Sequence, residues 1–176
     1  SNMGKFYYDL NTLNFPDGDY NVGFRAVDVA GNEAYMEVDP IIDNTKPVIN
    51  SVVFSPADPK FRGDTITIDA NVTDNLSGVK YAKATIKRPD GNIVMVDLTN
   101  VGGDIYRGEY YTDVNFPAED NNNTYIVTVE AGDKAGNKAD NYDTNFNLTY
   151  KYIINLSLSK NPATIGDTVT LNGNIK

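Results

Sequence analysis

The chain predicts an all-β fold, an antiparallel β-sandwich, on three observations. Short segments alternate apolar and polar residues with period two, the signature of strands with one buried and one wet face. Turn-forming clusters of Gly, Pro, Asn and Asp separate these segments at short intervals. No segment places apolar residues at a helical period between recognisable caps, so almost no helix is expected.

The strands follow in order. Pro47–Phe54 supplies the first. In Thr65–Thr73, the residues Ile66, Ile68, Ala70 and Val72 alternate with Thr67, Asp69, Asn71 and Thr73, which places the apolar set on the core side. Val79–Arg88 and Ile93–Leu98 flank Pro89-Asp90-Gly91-Asn92, a sequence with the chemistry of a hairpin turn. Ile105–Val114 gives a fifth strand. In Thr124–Asp133 the inward set is Tyr125, Val127, Val129 and Ala131. Lys138–Tyr150 gives the last. About seven short strands spaced in this way suggest a sandwich.

An internal repeat sets the organisation. Tyr20-Asn-Val-Gly-Phe-Arg-Ala-Val-Asp-Val-Ala-Gly-Asn32 matches Tyr125-Ile-Val-Thr-Val-Glu-Ala-Gly-Asp-Lys-Ala-Gly-Asn137 at a constant separation of 105 residues. Asn14-Phe15-Pro16 matches Asn115-Phe116-Pro117, and Ile49-Asn50 ahead of Gly63-Asp64-Thr65 matches Ile154-Asn155 ahead of Gly166-Asp167-Thr168. The unit is therefore about 100 residues. Residues 46–150 hold one complete copy, residues 1–45 the C-terminal part of a preceding one, and residues 151–176 the first strands of a following one.

Tyr20 and Tyr125 each follow a polar turn and open a strand. A tyrosine placed this way in immunoglobulin-like sandwiches forms the tyrosine corner, two residues before the second cysteine. Here Val22 and Val127 stand at the cysteine position. With Asp43-Asn-Thr-Lys-Pro-Val-Ile49 as a join between modules, Val72-Thr-Asp-Asn-Leu-Ser-Gly-Val79 as a loop between strands, and Asp-x-Ala-Gly-Asn turns at Asp28 and Asp133, the chain resembles the immunoglobulin-like and fibronectin-III-like tandem repeats of bacterial and archaeal surface proteins of adhesin or surface-layer type. That resemblance implies a secreted or cell-surface location and neighbouring modules of the same kind as partners.

Composition excludes several function classes. The chain has 176 residues and a formal net charge of −9, which opposes binding to nucleic acid or anionic lipid. It has no Cys, His or Trp. Disulfides, Cys/His zinc sites and catalysis through a histidine base are thereby ruled out. No apolar run is long enough for a transmembrane helix. The first residues, Ser1-Asn2-Met3, have the look of a cleaved-tag remnant and carry no signal peptide. No enzyme is expected.

The strongest candidate site is a calcium loop. Clustered oxygens suit a hard cation, and in an immunoglobulin-like sandwich the loops around Asp74 and Asp133 lie at the same end. Asp74, Asn75, Asp133 and Asn137 are then the candidate ligands. The competing reading makes the Asp-x-Ala-Gly-Asn segments plain hairpin turns, with Gly31 and Gly136 supplying positive φ and Asp bonding the turn backbone. Calcium is the one cofactor under consideration.

Other motifs carry less. Ser77-Gly-Val-Lys80 fits the Ser-x-x-Lys pattern but lacks its helical context. Asp17/Asp19 and Glu119/Asp120 read as solvated loop carboxylates. Tyr106, Tyr110 and Tyr111, echoed by Phe6, Tyr7 and Tyr8, read as core and cross-strand packing rather than a sugar-stacking face. Sequons at Asn71, Asn75, Asn122, Asn147 and Asn155 suit a glycosylated surface protein.

These features lead to the expectation of a non-catalytic structural or adhesive repeat, a spacer or surface-layer module. The alternatives are an accessory module of a secreted hydrolase and a calcium- or carbohydrate-binding module. If the two partial modules expose their edges, head-to-tail self-association between chains follows.

Overall fold

The computed structural model describes residues 5–113, 124–149, 154–159 and 162–175. Among them the secondary structure is β, apart from one 3₁₀ turn at Thr12–Asn14. Four strands precede the main sheet: β1 (Gly18–Asp19), β2 (Val22–Val27), β3 (Glu33–Val38) and β4 (Ile41–Ile42). They form two antiparallel pairs, β1 with β4 and β2 with β3.

Eight strands form the main sheet: β5 (Val48–Ser55), β6 (Lys60–Phe61), β7 (Thr65–Thr73), β8 (Val79–Lys87), β9 (Ile93–Gly102), β10 (Ile105–Tyr111), β11 (Thr124–Asp133) and β12 (Tyr142–Thr149). Their order is β5-β7-β10-β9-β8-β11-β12-β6. All neighbours run antiparallel except the two-residue β6, which lies parallel to the end of β12. A separate antiparallel pair follows, β13 (Ile154–Leu158) with β14 (Leu171–Ile175).

The main sheet is one ladder that curls on itself, a half-barrel. Its bend runs through β9, which pairs with β8 over Ile93–Leu98 and with β10 over Thr99–Gly102. Gly108 allows β10 to lie close there: a Cβ at this position would meet Val96 and Leu98 at 2.6 Å. Curling brings β5 against the faces of β11 and β12. The strand bounds differ from the sequence reading chiefly at β9, which runs on past Leu98 to reach β10, and at β12, which begins at Tyr142 rather than Lys138.

Alternation decides the core. Ile66, Ile68, Ala70 and Val72 of β7 are buried, as are Tyr125, Val127, Val129 and Ala131 of β11, the two sets read from the sequence. Ala82, Ala84 and Ile86 of β8 join them, with Leu98, Tyr110, Phe146 and Leu148. Tyr125 stacks on Phe146 at 5.0 Å between ring centroids. The aromatic stretch divides: Tyr110 is core and Tyr106 packs against the core, while Tyr111 and Phe6, Tyr7 and Tyr8 are exposed.

Candidate join site

The two Asp-x-Ala-Gly-Asn segments fold as the same turn. In the first, Asp28 Oδ1 accepts from the backbone N–H groups of Ala30 and Asn32, and Asn32 Nδ2 donates to Asp28 Oδ2 at 2.7 Å. In the second, Asp133 Oδ1 accepts from the N–H groups of Gly136 and Asn137, and Asn137 Nδ2 donates to Asp133 Oδ2 at 2.8 Å. Gly31 and Gly136 hold φ of 89° and 108°, a region open to glycine at little cost. The carboxylate satisfies turn N–H groups that the tight reversal leaves without ladder partners. Hydrogen bonds from Asn32 hold the Asp28 carboxyl below the usual range.

The second turn does something the first does not. Asn137 Nδ2 also donates to the backbone oxygens of Asp43 and Thr45, at 2.9 and 3.3 Å. It clasps the segment that leads from β4 into β5. The loop after β7 grips the same segment, since the Ser77 N–H donates to Asp43 Oδ2 at 3.0 Å. Pro47 is fully buried. An ion pair joins Lys46 to Asp140, but both groups are largely exposed, so it contributes little.

From the N-terminal side, Asp17 holds this segment too. Asp17 Oδ1 accepts from the Asn44 N–H at 2.7 Å, and Oδ2 accepts from the Thr45 hydroxyl. These bonds, Thr45 first, hold the Asp17 carboxyl below the usual range. The sequence reading left Asp17 as a solvated loop carboxylate. It is exposed, but its hydrogen bonds cross to residues 27 and 28 positions away, a relation that no local pattern encodes.

Three carboxylates converge at this place. Asp43, Asp74 and Asp133 each offer an oxygen within 4.8 Å of the others. Asp43 and Asp133 are buried and Asp74 is half-buried. Calcium binds oxygens at about 2.3–2.6 Å, so oxygens across one ion lie about 5 Å apart, and this span fits one coordination sphere. Two of the four predicted ligands, Asp74 and Asp133, therefore meet. Asn75 is exposed and lines a recess of about 240 Å³ with Asp17, Asp43, Thr45, Asp74 and Leu76. Asn137 turns its nitrogen to the join and to Asp133, which makes it a clasp. Asp43, the third carboxylate of the cluster, was not among the predicted ligands; the sequence marked it only as the start of the join.

Backbone donors already serve these carboxylates. Asp74 Oδ1 accepts from the N–H groups of Leu76 and Gly78, and Asp43 Oδ1 from that of Thr45. The donors stabilise the negative charges without neutralising them. Both the turn reading and the cation reading are thus compatible with one geometry.

The Tyr20 hydroxyl donates to the Pro16 carbonyl at 2.7 Å, four residues upstream, a bond of the kind a tyrosine corner calls for. Tyr125 is buried, and the segment ahead of it lies outside the described residues. Among the sequons, Asn75 and Asn147 are exposed. Asn71 is half-buried and accepts on Oδ1 from Asn50 Nδ2, which also donates to Thr73 Oγ1. Asn122 and the side chain of Asn155 lie outside the described residues, as does the pair Glu119/Asp120. Ser77 and Lys80 sit at a loop and the start of β8, with no helix to align them. Among the described residues no helix is long and apolar enough to cross a membrane.

One family model matches the chain, that of DUF7743, a domain of unknown function, over residues 41–168. The chain belongs to that family. The matched span begins at the clasped join and covers the whole main sheet. No curated protein and no solved structure matches.

Proposed function

We propose that this member of the DUF7743 family is a non-catalytic structural repeat of a secreted or cell-surface protein, an immunoglobulin-like module that acts as a stiff spacer. The observation that carries this reading is the clasped join. Asp17 on one side and Asn137 and Ser77 on the other hold Asp43, Asn44 and Thr45. A flexible linker would leave such backbone groups to water. Fixing them from both sides restricts bending between units. The exposed sequons and the acidic, cysteine-free composition agree with a surface location. Small-angle scattering on a stretch containing several such units tests the reading. A rod-like profile that bends when Asp17→Ala and Asn137→Ala are combined is expected; freely jointed beads in the wild type would overturn it.

A second reading adds calcium at the join, favoured by the convergence of Asp43, Asp74 and Asp133. A cation there would offset the mutual repulsion of the carboxylates and tie β4, β7 and β11 together. At a hundredfold excess over the dissociation constant, calcium would add about 2.7 kcal/mol of stability. Thermal melts with millimolar calcium against chelator, on wild type and Asp74→Asn, separate the cases. A wild-type melt that calcium leaves unmoved rejects the metal and keeps the spacer.

A further inference from the structure

We infer that the free edge of β5 pairs with the same edge of a second copy of this chain, antiparallel and about a two-fold axis. β5 ends the main sheet and, among the described residues, pairs with β7 alone. Its residues, Val48–Ser55, include no charge and no proline. Edge strands are commonly blunted by charge, proline, bulges or brevity, because an open ladder recruits other strands. The opposite edge of the sheet is blunted in this way: β6 is only Lys60–Phe61 and carries a lysine. β5 has a bulge between Ile49 and Ser51, and beyond it Ser51–Ser55 runs in unbroken register.

That register fixes which groups the edge presents. The Val72 N–H donates to the Asp104 oxygen, on the β10 side of β7. Successive residues of an antiparallel strand turn their N–H and C=O groups to opposite sides, so Asn71, Asp69 and Thr67 turn theirs toward β5. They lie opposite Ser51, Val53 and Ser55, whose backbone groups are thereby engaged. Val52 and Phe54 then direct N–H and C=O away from β7, to the open edge. A recess of about 420 Å³ runs beside Val52, Val53 and Phe54, with Asn145 and Asn147 on its far wall.

One antiparallel register uses both residues. With Val53 on the axis opposite its own copy, Val52 of each chain faces Phe54 of the other. The two exchange N–H···O bonds on both sides of the axis. Sliding one way sets Val52 against Pro56, which has no N–H; sliding the other way sets Phe54 against Asn50, inside the bulge. The side chains agree with the central register. Val53, 60% exposed, meets Val53 on the outer face, and Val52 meets Phe54 on the inner one. β-branched and aromatic cross-strand pairs of this kind are favourable, and no like charges oppose each other. A strand whose best partner is itself points to a second copy as the occupant. The Ser51–Ser55 ladder is far shorter than the roughly 20–30 residues a side of a stable interface, so the contact is weak and reversible. Because it is isologous, it closes at a dimer. It requires only the strand edge and does not rest on the spacer reading.

The protein has no cysteine, so single cysteine variants test both the contact and its register. The pair on the axis is non-hydrogen-bonded, with Cα atoms about 4.5 Å apart, within the range of a disulfide. Val53→Cys should therefore oxidise to a homodimer several-fold faster than Ile126→Cys, a strand position of similar exposure. Mixed Ser51→Cys and Ser55→Cys proteins should form the mixed disulfide in preference to either homodimer. Sedimentation of the wild type should rise with concentration toward ~1 mM, the range of a weak contact. Val53→Lys, which sets like charges together on the axis, should abolish that rise, and Ile126→Lys should keep it. Equal oxidation of Val53→Cys and Ile126→Cys, preferential Ser51→Cys or Ser55→Cys homodimers, or a wild type that stays monomeric throughout overturns the proposal.

Discussion

Replacing Asn137 with Ala removes three hydrogen bonds at once, to Asp133 Oδ2, the Asp43 oxygen and the Thr45 oxygen. The bond to the carboxylate contributes about 1.5–3 kcal/mol, because Asp133 is 1% exposed and water does not readily replace the lost donor. The bond to Asp43 adds about 0.5–1.5 kcal/mol, and the 3.3 Å contact to Thr45 adds little. The expected loss is about 2–4 kcal/mol. For a unit of about 100 residues each kcal/mol moves the midpoint by roughly 4–8 °C, so the fall is of order 8–30 °C. Urea unfolding followed by circular dichroism reads the change directly, with an unaltered slope showing that only stability moved. Asn92→Ala is the control in the same sheet. Asn92 Nδ2 bonds Asp90 Oδ2 in an exposed turn, and its loss should cost no more than about 0.5 kcal/mol. If Asn137→Ala costs no more than Asn92→Ala, the clasp does not stabilise the module and the spacer reading loses its support.

Two further outcomes follow from the geometry. Gly108→Ala would put a Cβ 2.6 Å from Val96 and Leu98 and 2.9 Å from the Asp97 oxygen; the carbonyl cannot step aside, so a loss of about 1–3 kcal/mol is expected in the same urea titration. Asp69 is paired to Arg107 by two 2.7 Å bonds, which hold its carboxyl below the usual range. A carboxyl whose pKa is depressed on folding contributes stability above its unfolded value, about 3.9, and loses it as pH falls through the folded value. Stability against pH should therefore drop below about pH 4, and Asp69→Asn should flatten part of that slope.

Much of this fold was legible in the sequence because alternation is local. β7 and β11 bury the residues that their patterns assign, and the Asp28 and Asp133 turns form where Asp, Gly and Asn are spaced to make them. Tyr20 was legible too, since its partner Pro16 is four residues away. What the sequence withheld depends on contacts distant along the chain. The extension of β9 beyond Leu98 is the local exception: Thr99–Gly102 pairs with Ile105–Arg107 across the turn at Gly102 and Gly103. Asp43 gains its place only when the loops after β7 and β11 close over it, and Asp17 gains its partners only from the far side of the β1–β4 pair. The parallel pairing of β6 with β12 involves two residues, too few to leave a pattern. The candidate site was half legible: the turn chemistry marked Asp74 and Asp133, while the third carboxylate came from the join.

The clasp also bears on how the chain folds. Asn137 and Asp43 are 94 residues apart, so their bond closes nearly the whole unit into one loop. Such closure costs conformational entropy that no nearby contact has already met, and contacts of this span form late. The join can become rigid only after the strands between its two halves have assembled. On the proposed spacer reading, stiffness would then arrive only as each unit completes, and a unit that opened would release its own join.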